Sequence, residues 1–264
     1  MTRFAAPERA WLRALPDSYP RCVRTTSEPI DVALARAQHA AYADALVDAG
    51  VSVVVLETDE RCPDAVFIED TAVLLGPEAL ITVPGAPSRR AEVPPVAEAL
   101  ERSLALRRLS PPATLDGGDV LRVGDRLIVG LSERTSPAGA LGLREVASPW
   151  GLTVEALPVA AGLHLKSALT LAAPDLLVAV RGAFDLGPLG AWGLQVLEVD
   201  EPMGGNVLAL GPRVLVSASA PETAALLRGQ GLDVRVLNVS ELHKGDGALT
   251  CLSLRQPPPG CWCA

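Results

Sequence analysis

Apolar and polar positions in this chain fall into short blocks, and the blocks recur. From 31 to 49 the apolar residues Val32, Leu34, Ala35, Tyr42, Ala45 and Leu46 keep helical spacing, and Gly50 stops the run. His39 lies inside that helix and is expected on its surface. The apolar run at 51–56 reads as a buried strand. Beyond it one pattern repeats: a polar or glycine-bearing corner, a β-prone run, a tight turn and a second β-prone run. The first copy has the corner Ile68-Glu69-Asp70 with runs at 71–75 and 79–83. The second has Gly117-Gly118-Asp119 with runs at 120–123 and 127–130. His164-Leu165-Lys166 opens the third, with runs at 167–171 and 176–180, and Gly204-Gly205-Asn206 the fourth, with runs at 207–210 and 214–217. The fifth opens at Gly245-Asp246-Gly247 and has only one run, at 248–254.

Helical stretches at 91–103, 136–147 and 221–229 separate copies, and further strands are expected at 152–157 and 232–237. A hairpin, a helix and one more strand make a ββαβ module. The corners recur at roughly 40–50 residues, a spacing typical of radial or solenoid repeats. The helix at 31–49 and the strand at 51–56 would complete the fifth module, closing a ring and covering the sheet edges. The expectation is therefore an α/β fold, a five-bladed pseudo-symmetric propeller of ββαβ modules forming one domain over 1–255. Residues 1–24 look irregular, and the Pro/Gly/Cys-rich segment 256–264 is expected to be a flexible tail.

Composition narrows the partners. The chain has 264 residues, 49% hydrophobic but only 3% aromatic, so Ala, Val and Leu must build its core. A net charge of −8 disfavours nucleic acid or an anionic membrane as the main partner and suits a cationic small molecule. No apolar run is long enough for a membrane span, and the N-terminal residues lack the apolar stretch of a secretory signal. Five scattered cysteines form no disulfide framework, which fits a reducing cytoplasm. Cys261 and Cys263 offer a metal too few ligands for a centre of their own.

In a ring of this kind the corners point at the axis. They would gather Asp64, Glu69, Asp70, Asp116, Asp119, His164, Lys166, Asn206, Asp246 and Cys251 around one pocket. Cys251 is either a small buried hydrophobe in a strand or a nucleophile served by a base and an orienting acid from elsewhere. Only three histidines can serve as that base. His164 opens a corner, whereas His243 has no supporting context and is expected at the surface.

Several strings together carry a family resemblance: Pro63-Asp64-Ala65-Val66-Phe67-Ile68-Glu69-Asp70, Pro84-Gly85-Ala86-Pro87-Ser88-Arg89-Arg90, Leu115-Asp116-Gly117-Gly118-Asp119-Val120, Gly130-Leu131-Ser132-Glu133-Arg134-Thr135, Gly162-Leu163-His164-Leu165-Lys166-Ser167 and Leu249-Thr250-Cys251. In this order they resemble the dimethylarginine dimethylaminohydrolases, guanidine-modifying enzymes of the pentein fold. The resemblance runs from about residue 10 to 255. It implies hydrolysis of an Nω-methylated arginine to citrulline and methylamine or dimethylamine through a covalent cysteine thiouronium. Cys251 would be the nucleophile, His164 the general acid and then base, and Asp116 the carboxylate that orients His164. Some relatives carry Glu at that position, so the shorter Asp predicts that the contact passes to a backbone group or a water.

Asp70 would bond the guanidinium with Glu69 beside it, and Asp64 would lie at the α-amino end. Arg89 and Arg134 would take the α-carboxylate by the fork of the guanidinium, with Arg90 facing outward. The carbonyls of Val23, on a mobile lid, and of Gly245, where relatives carry a bulkier aliphatic residue, would complete the contacts. Asp246 is a further acid near the nucleophile with no assigned role. No cofactor is needed, although Cys251 and His164 together could take an inhibitory zinc. The chain would be a monomer or a homodimer. Two rivals stay open: an arginine deiminase on the same fold, and a catalytically silent binder of cationic amino acids. A papain-like protease is disfavoured by the order of its cysteine and histidine, and no nucleotide-binding glycine motif occurs.

Overall fold

The computed structural model describes residues 3–159, 162–190 and 192–262. Five three-stranded sheets stand around a common axis, and each combines an antiparallel pair, a hairpin in the first four, with one parallel strand. Parallel pairing demands a crossover, and a helix supplies it in every blade. The first blade pairs Ala72–Leu74 with Glu78–Ile81, crosses through the helix Val93–Glu101 and adds Ala105–Arg108. The second uses Val120–Val123, Arg126–Leu131, the helix Pro137–Ala147 and Thr153–Pro158. The third joins Leu169–Ala173 and Leu176–Val180 to Gln195–Val199 by a single helical turn, Gly187–Gly190. The fourth is Leu208–Leu210, Arg213–Ser217, the helix Pro221–Gly229 and Asp233–Leu237. This is the five-bladed pentein propeller.

The fifth blade closes the ring from both ends of the chain. Leu254–Gln256 runs antiparallel to Arg9–Arg13, and Arg9–Arg13 runs parallel to Ser52–Leu56 across the helix Val32–Asp48. The centre of this blade is thus a strand inside the segment expected to be irregular. Arginines at both ends hide it in the sequence, yet Ala10, Trp11 and Leu12 are buried between them. Arg9 lies over the Trp11 ring at 5.6 Å. Arg13 is buried and bonds the carbonyl of Glu57 at 3.1 Å. The run expected at 248–254 is a strand only from Leu254 onward, because Thr250–Leu252 forms a 3-10 turn.

The apolar core is divided among the five gaps between blades, which explains a core with so few rings. Strand alternation sends successive side chains into different gaps. Trp11 packs with Ile68, Ala79 and Leu100 of the first blade, whereas Ala10 and Leu12 pack with Leu208 and Leu215 of the fourth. Ala, Val and Leu fill such narrow two-sided layers. The helix Val32–Asp48 is capped by the Asp31 carboxylate, which accepts from the Leu34 amide at 3.0 Å. It buries Ala35, Gln38, His39, Tyr42, Ala45 and Leu46. His39 is therefore inside, contrary to the surface position expected.

The tail also departs from expectation. Cys261–Trp262 pairs in parallel with Arg3–Phe4, and Trp262 is buried against the Phe4 ring at 4.8 Å. A buried aromatic holds this segment to the second and third blades, so it is not free through residue 262. Cys263 lies outside the described residues. Among the described residues no helix is long and apolar enough to cross a membrane.

Candidate active site

Four of the five corners expected to face the axis coincide with 3-10 turns, Ile68–Thr71, Gly117–Asp119, Leu165–Ser167 and Pro202–Gly205; at the fifth, Gly245-Asp246-Gly247 is not helical and the 3-10 turn comes later, at Thr250–Leu252. Such tight turns project neighbouring side chains to opposite sides, and side-chain bonds stitch one corner to the next. Gly118 N donates to Asp70 Oδ1 at 2.8 Å, and Leu165 N to Asp119 Oδ1 at 2.8 Å. Asn206 Nδ2 bonds the Lys166 carbonyl at 2.7 Å and Thr250 Oγ1 at 2.9 Å. Gly118 is required where it stands, since a Cβ there would lie 2.8 Å from His164 Nδ1 and 2.9 Å from Asp70 Oδ1.

One mouth of the central channel opens into a cavity of about 650 Å³, its open entrance included. Val23, Asp64, Asp70, Arg89, Arg134, His164, Gly245, Asp246 and Cys251 all line it. Asp116 stands behind His164, wholly buried, with Oδ2 at 2.9 Å from His164 Nε2. The contact is direct, so the shorter side chain passes nothing to backbone or water. The Gly85 amide holds Oδ1 at 2.8 Å and fixes the carboxylate.

The electrostatics of the cavity oppose each other. Burial works against the His164 cation, but the carboxylates of Asp70, Asp116 and Asp119 outweigh it and push the ring up to about 9. Burial, then the charges of Glu69 and Asp70, push the Cys251 thiol up to about 12, with Lys166 opposing. At neutral pH the cavity therefore favours an imidazolium at His164 and a neutral thiol at Cys251. Burial also raises Asp64, against the pull of Arg89 and Arg134.

The two arginines differ. Arg134 Nη and Nε atoms have no hydrogen bond or ion pair among the described residues, and the side chain is only partly buried. Arg89 is buried and committed: it forks onto Glu92 at 3.1 and 2.7 Å, pairs with Asp70, and bonds the Phe67 carbonyl at 2.8 Å. Arg89 thus anchors Asp70 rather than standing free for a carboxylate. Glu92, three residues on, is the partner that the spacing could have disclosed. Arg90 is exposed.

Glu69 is the clearest departure. Its carboxylate turns away from this cavity into a second one on the other side of the corners, where Oε1 meets Lys166 Nζ at 2.6 Å and Arg255 Nη2 at 2.9 Å. Adjacent residues of one 3-10 turn cannot both face the same mouth. Val23 is exposed, and its amide donates to Asp64 Oδ1 at 3.0 Å, while Thr25 N donates to Asp246 Oδ2 at 2.6 Å. These bonds hold the 22–25 segment over the entrance. Asp246 itself has φ 58, a left-handed conformation that Asp tolerates. At Gly245 the room a larger residue would need is taken by the Tyr19 and Phe67 rings. His243 is partly buried, bridging Ser217 Oγ and the Gly247 carbonyl at 2.8 Å each, and so braces the loop before Cys251. Phe67, Leu163, Ser167, Met203, Gly247 and Ala248 complete the lining. Phe67, Leu163, Ser167 and Gly247 lie within the strings and corners singled out in the sequence, whereas nothing in the sequence singled out Met203. Asp70, Asp116 and His164 set potential ligand atoms within 4.8 Å of one another, a group of described residues that does not include Cys251.

The sequence profile of the family described as "N,N dimethylarginine dimethylhydrolase, eukaryotic" matches residues 14–173. The N(G),N(G)-dimethylarginine dimethylaminohydrolase of Streptomyces coelicolor is 43% identical, over 86% of this chain and 88% of that protein. An arginine deiminase of Rhodococcus erythropolis is 29% identical, over 72% of this chain and 59% of that protein. Among solved structures, a cysteine-to-serine variant of the Pseudomonas aeruginosa dimethylarginine dimethylaminohydrolase in complex with citrulline superposes with a TM-score of 0.90, at 29% identity, over 95% of this chain and 99% of that one. With these matches and the geometry of its corners, the chain belongs to the dimethylarginine dimethylaminohydrolase family.

Proposed function

We propose that this protein hydrolyses free Nω-methylated arginine to citrulline and methylamine or dimethylamine. The observation that carries the reading is the shared cavity of Cys251, His164, Asp70 and Arg134, with His164 held by Asp116 at 2.9 Å. Arg134 takes the α-carboxylate, Asp64 and the carbonyls of Val23 and Gly245 take the α-amino group, and Asp70 takes the flat cation. Against the cost of burial, the charges of His164 and Arg89 keep Asp70 ionised, and Arg89 holds it in place. Glu69 acts only through the charge it sets beneath the site.

A guanidinium carbon is a poor electrophile, so the attacking sulfur must be a thiolate. The bound cation supplies what the empty site lacks, a positive charge beside Sγ, and the thiol proton leaves to solvent. Sγ bonds to the guanidinium carbon. The C–N bond to the methylated nitrogen breaks as the His164 imidazolium gives that nitrogen its proton, and the amine departs. The neutral imidazole then takes a proton from water, whose oxygen adds to the thiouronium carbon. Collapse breaks the C–S bond and leaves the citrulline carbonyl, and the hydroxyl proton passes by way of solvent to the departing thiolate, which restores the neutral thiol. Asp116 stabilises the imidazolium at both stages. The reaction needs only side chains. The free thiols of Cys22, Cys62, Cys251 and Cys261 suit a reducing cytoplasm.

The test is citrulline release from a panel containing monomethyl-, dimethyl- and unmethylated arginine, with Cys251→Ser and His164→Ala in parallel. Turnover of methylated substrates by the wild type alone is expected. Release from arginine but not from methylated arginine would favour the deiminase reading. Binding without turnover, equal in wild type and Cys251→Ser, would favour the silent binder.

A further inference from the structure

Arg255 makes none of the substrate contacts assigned above, yet its side chain is buried beside the turn that carries the nucleophile. Its side chain is 6% exposed. Nη1 donates to the Thr250 carbonyl at 2.9 Å and to the Ser253 carbonyl and hydroxyl at 3.0 Å each. Nη2 donates to Glu69 Oε1 at 2.9 Å. Thr250 and Ser253 bracket Cys251 along the chain. One guanidinium therefore ties the turn that presents the sulfur to the turn that presents Asp70.

We propose that Arg255 is a positioning residue for the reaction: it clamps the carbonyls around Cys251 and, with Lys166, offsets the buried Glu69 carboxylate of the neighbouring turn. The proposal rests on Cys251 being the nucleophile. Two observations support it independently. The first is geometric. A 3-10 turn leaves carbonyls without intrahelical partners, and a planar fork reaches several of them and a carboxylate at once, which a single ammonium cannot do. Asn206 grips Thr250 from the other flank, through N–H to Oδ1 at 3.2 Å and Nδ2 to Oγ1 at 2.9 Å, and Tyr42 Oη holds Ser253 Oγ at 2.7 Å. The second is electrostatic. Glu69 is 3% exposed, both of its cations crowd onto Oε1, and Oε2 is buried without a hydrogen-bond partner. With one cation gone, that charge would act on the sulfur with only Lys166 against it.

The test compares Arg255→Lys, Arg255→Met, Glu69→Gln and the Arg255→Met/Glu69→Gln double variant. Two quantities are read: citrulline turnover, and the rate of Cys251 alkylation by iodoacetamide at one fixed pH, which follows the thiolate fraction. Arg255→Met is expected to lower kcat about 30-fold with KM within about twofold. Its alkylation should slow about tenfold, the equivalent of one pH unit. Glu69→Gln should speed alkylation, and the double variant should return it to within about threefold of wild type while kcat stays low, because charge is balanced but the turn is unclamped. Arg255→Lys should keep the alkylation rate and lose part of kcat; should the Met variants not fold, Lys and Glu69→Gln carry the test. The proposal is overturned if Arg255→Lys matches wild type in kcat, or if kcat falls while alkylation is the same in all four variants. If wild type releases no citrulline from any substrate, the reaction assigned above fails, and the alkylation series still decides the role of Arg255.

Discussion

Cys251 and His164 share a cavity, and before substrate arrives both favour their protonated forms, Cys251 through burial and the neighbouring carboxylates, His164 through carboxylates that outweigh burial; this readies the proposed acid and holds the proposed nucleophile back. The acid is already charged at neutral pH because its folded value is about 9. Turnover is therefore expected to fall as pH rises through that value, and Asp116→Asn, which removes one of the charges sustaining the cation, should move the limb to lower pH and lower kcat; a pH profile of kcat reads both. The same shift has a stability consequence. His164 rises from 6.5 to about 9 on folding, so its contribution is fully present below 6.5 and is lost as pH rises through 9. The two arginines should separate cleanly. Arg134→Lys is expected to raise KM about tenfold or more with stability unchanged, through loss of a bidentate contact to substrate. Arg89→Met should instead destabilise the protein by about 3 kcal/mol, because Asp70 and Glu92 would be left as buried charges; denaturant unfolding beside Michaelis kinetics distinguishes them. The identities of these residues were legible in the sequence, but their orientations were not. Glu69 and Asp70 are neighbours in the chain and face opposite cavities, and no spacing rule discloses which way each turns.

At the level of elements, the alternation of apolar runs with glycine-bearing corners gave the hairpins nearly to the residue, because turn chemistry and strand periodicity agree there. It failed where they disagree. Arg9–Arg13 is a central strand carrying a charge at each end, and its arginines find their partners, the Trp11 ring and the Glu57 carbonyl, only in the folded ring. The third blade crosses by one helical turn rich in Gly and Pro, too short to show a period. The corners themselves depend on close approach. Gly118→Ala is expected to lower kcat roughly 10- to 100-fold with little change in KM, since its Cβ would displace both His164 and Asp70. His39 offers a test of the helix Val32–Asp48. Burial lowers it from 6.5 to about 4, so its contribution is present above 6.5 and is lost as pH falls towards 4, about 3 kcal/mol in all. Unfolding measured across that window should be flatter for His39→Leu than for wild type.

The whole molecule is a ring whose cores lie between blades, so its stability depends on closure. The fifth blade and the small sheet of Arg3–Phe4 with Cys261–Trp262 bring both ends of the chain together. Deleting residues from 258 onward removes the buried Trp262 and is expected to cost about 3 kcal/mol, with KM unchanged, as thermal unfolding and kinetics would show. Closure also sets the chemistry, because it assembles Asp70, His164 and Cys251 from three blades around one axis. The arrangement leaves the sulfur protonated until a cation enters. Ultraviolet difference absorbance of the thiolate, wild type against Cys251→Ser, tests this directly when L-lysine is added near neutral pH at concentrations shown to inhibit turnover. The account predicts a thiolate signal that appears only with the cationic ligand and only when Cys251 is present; a thiolate already formed in the free protein, or no signal with ligand bound, would contradict it.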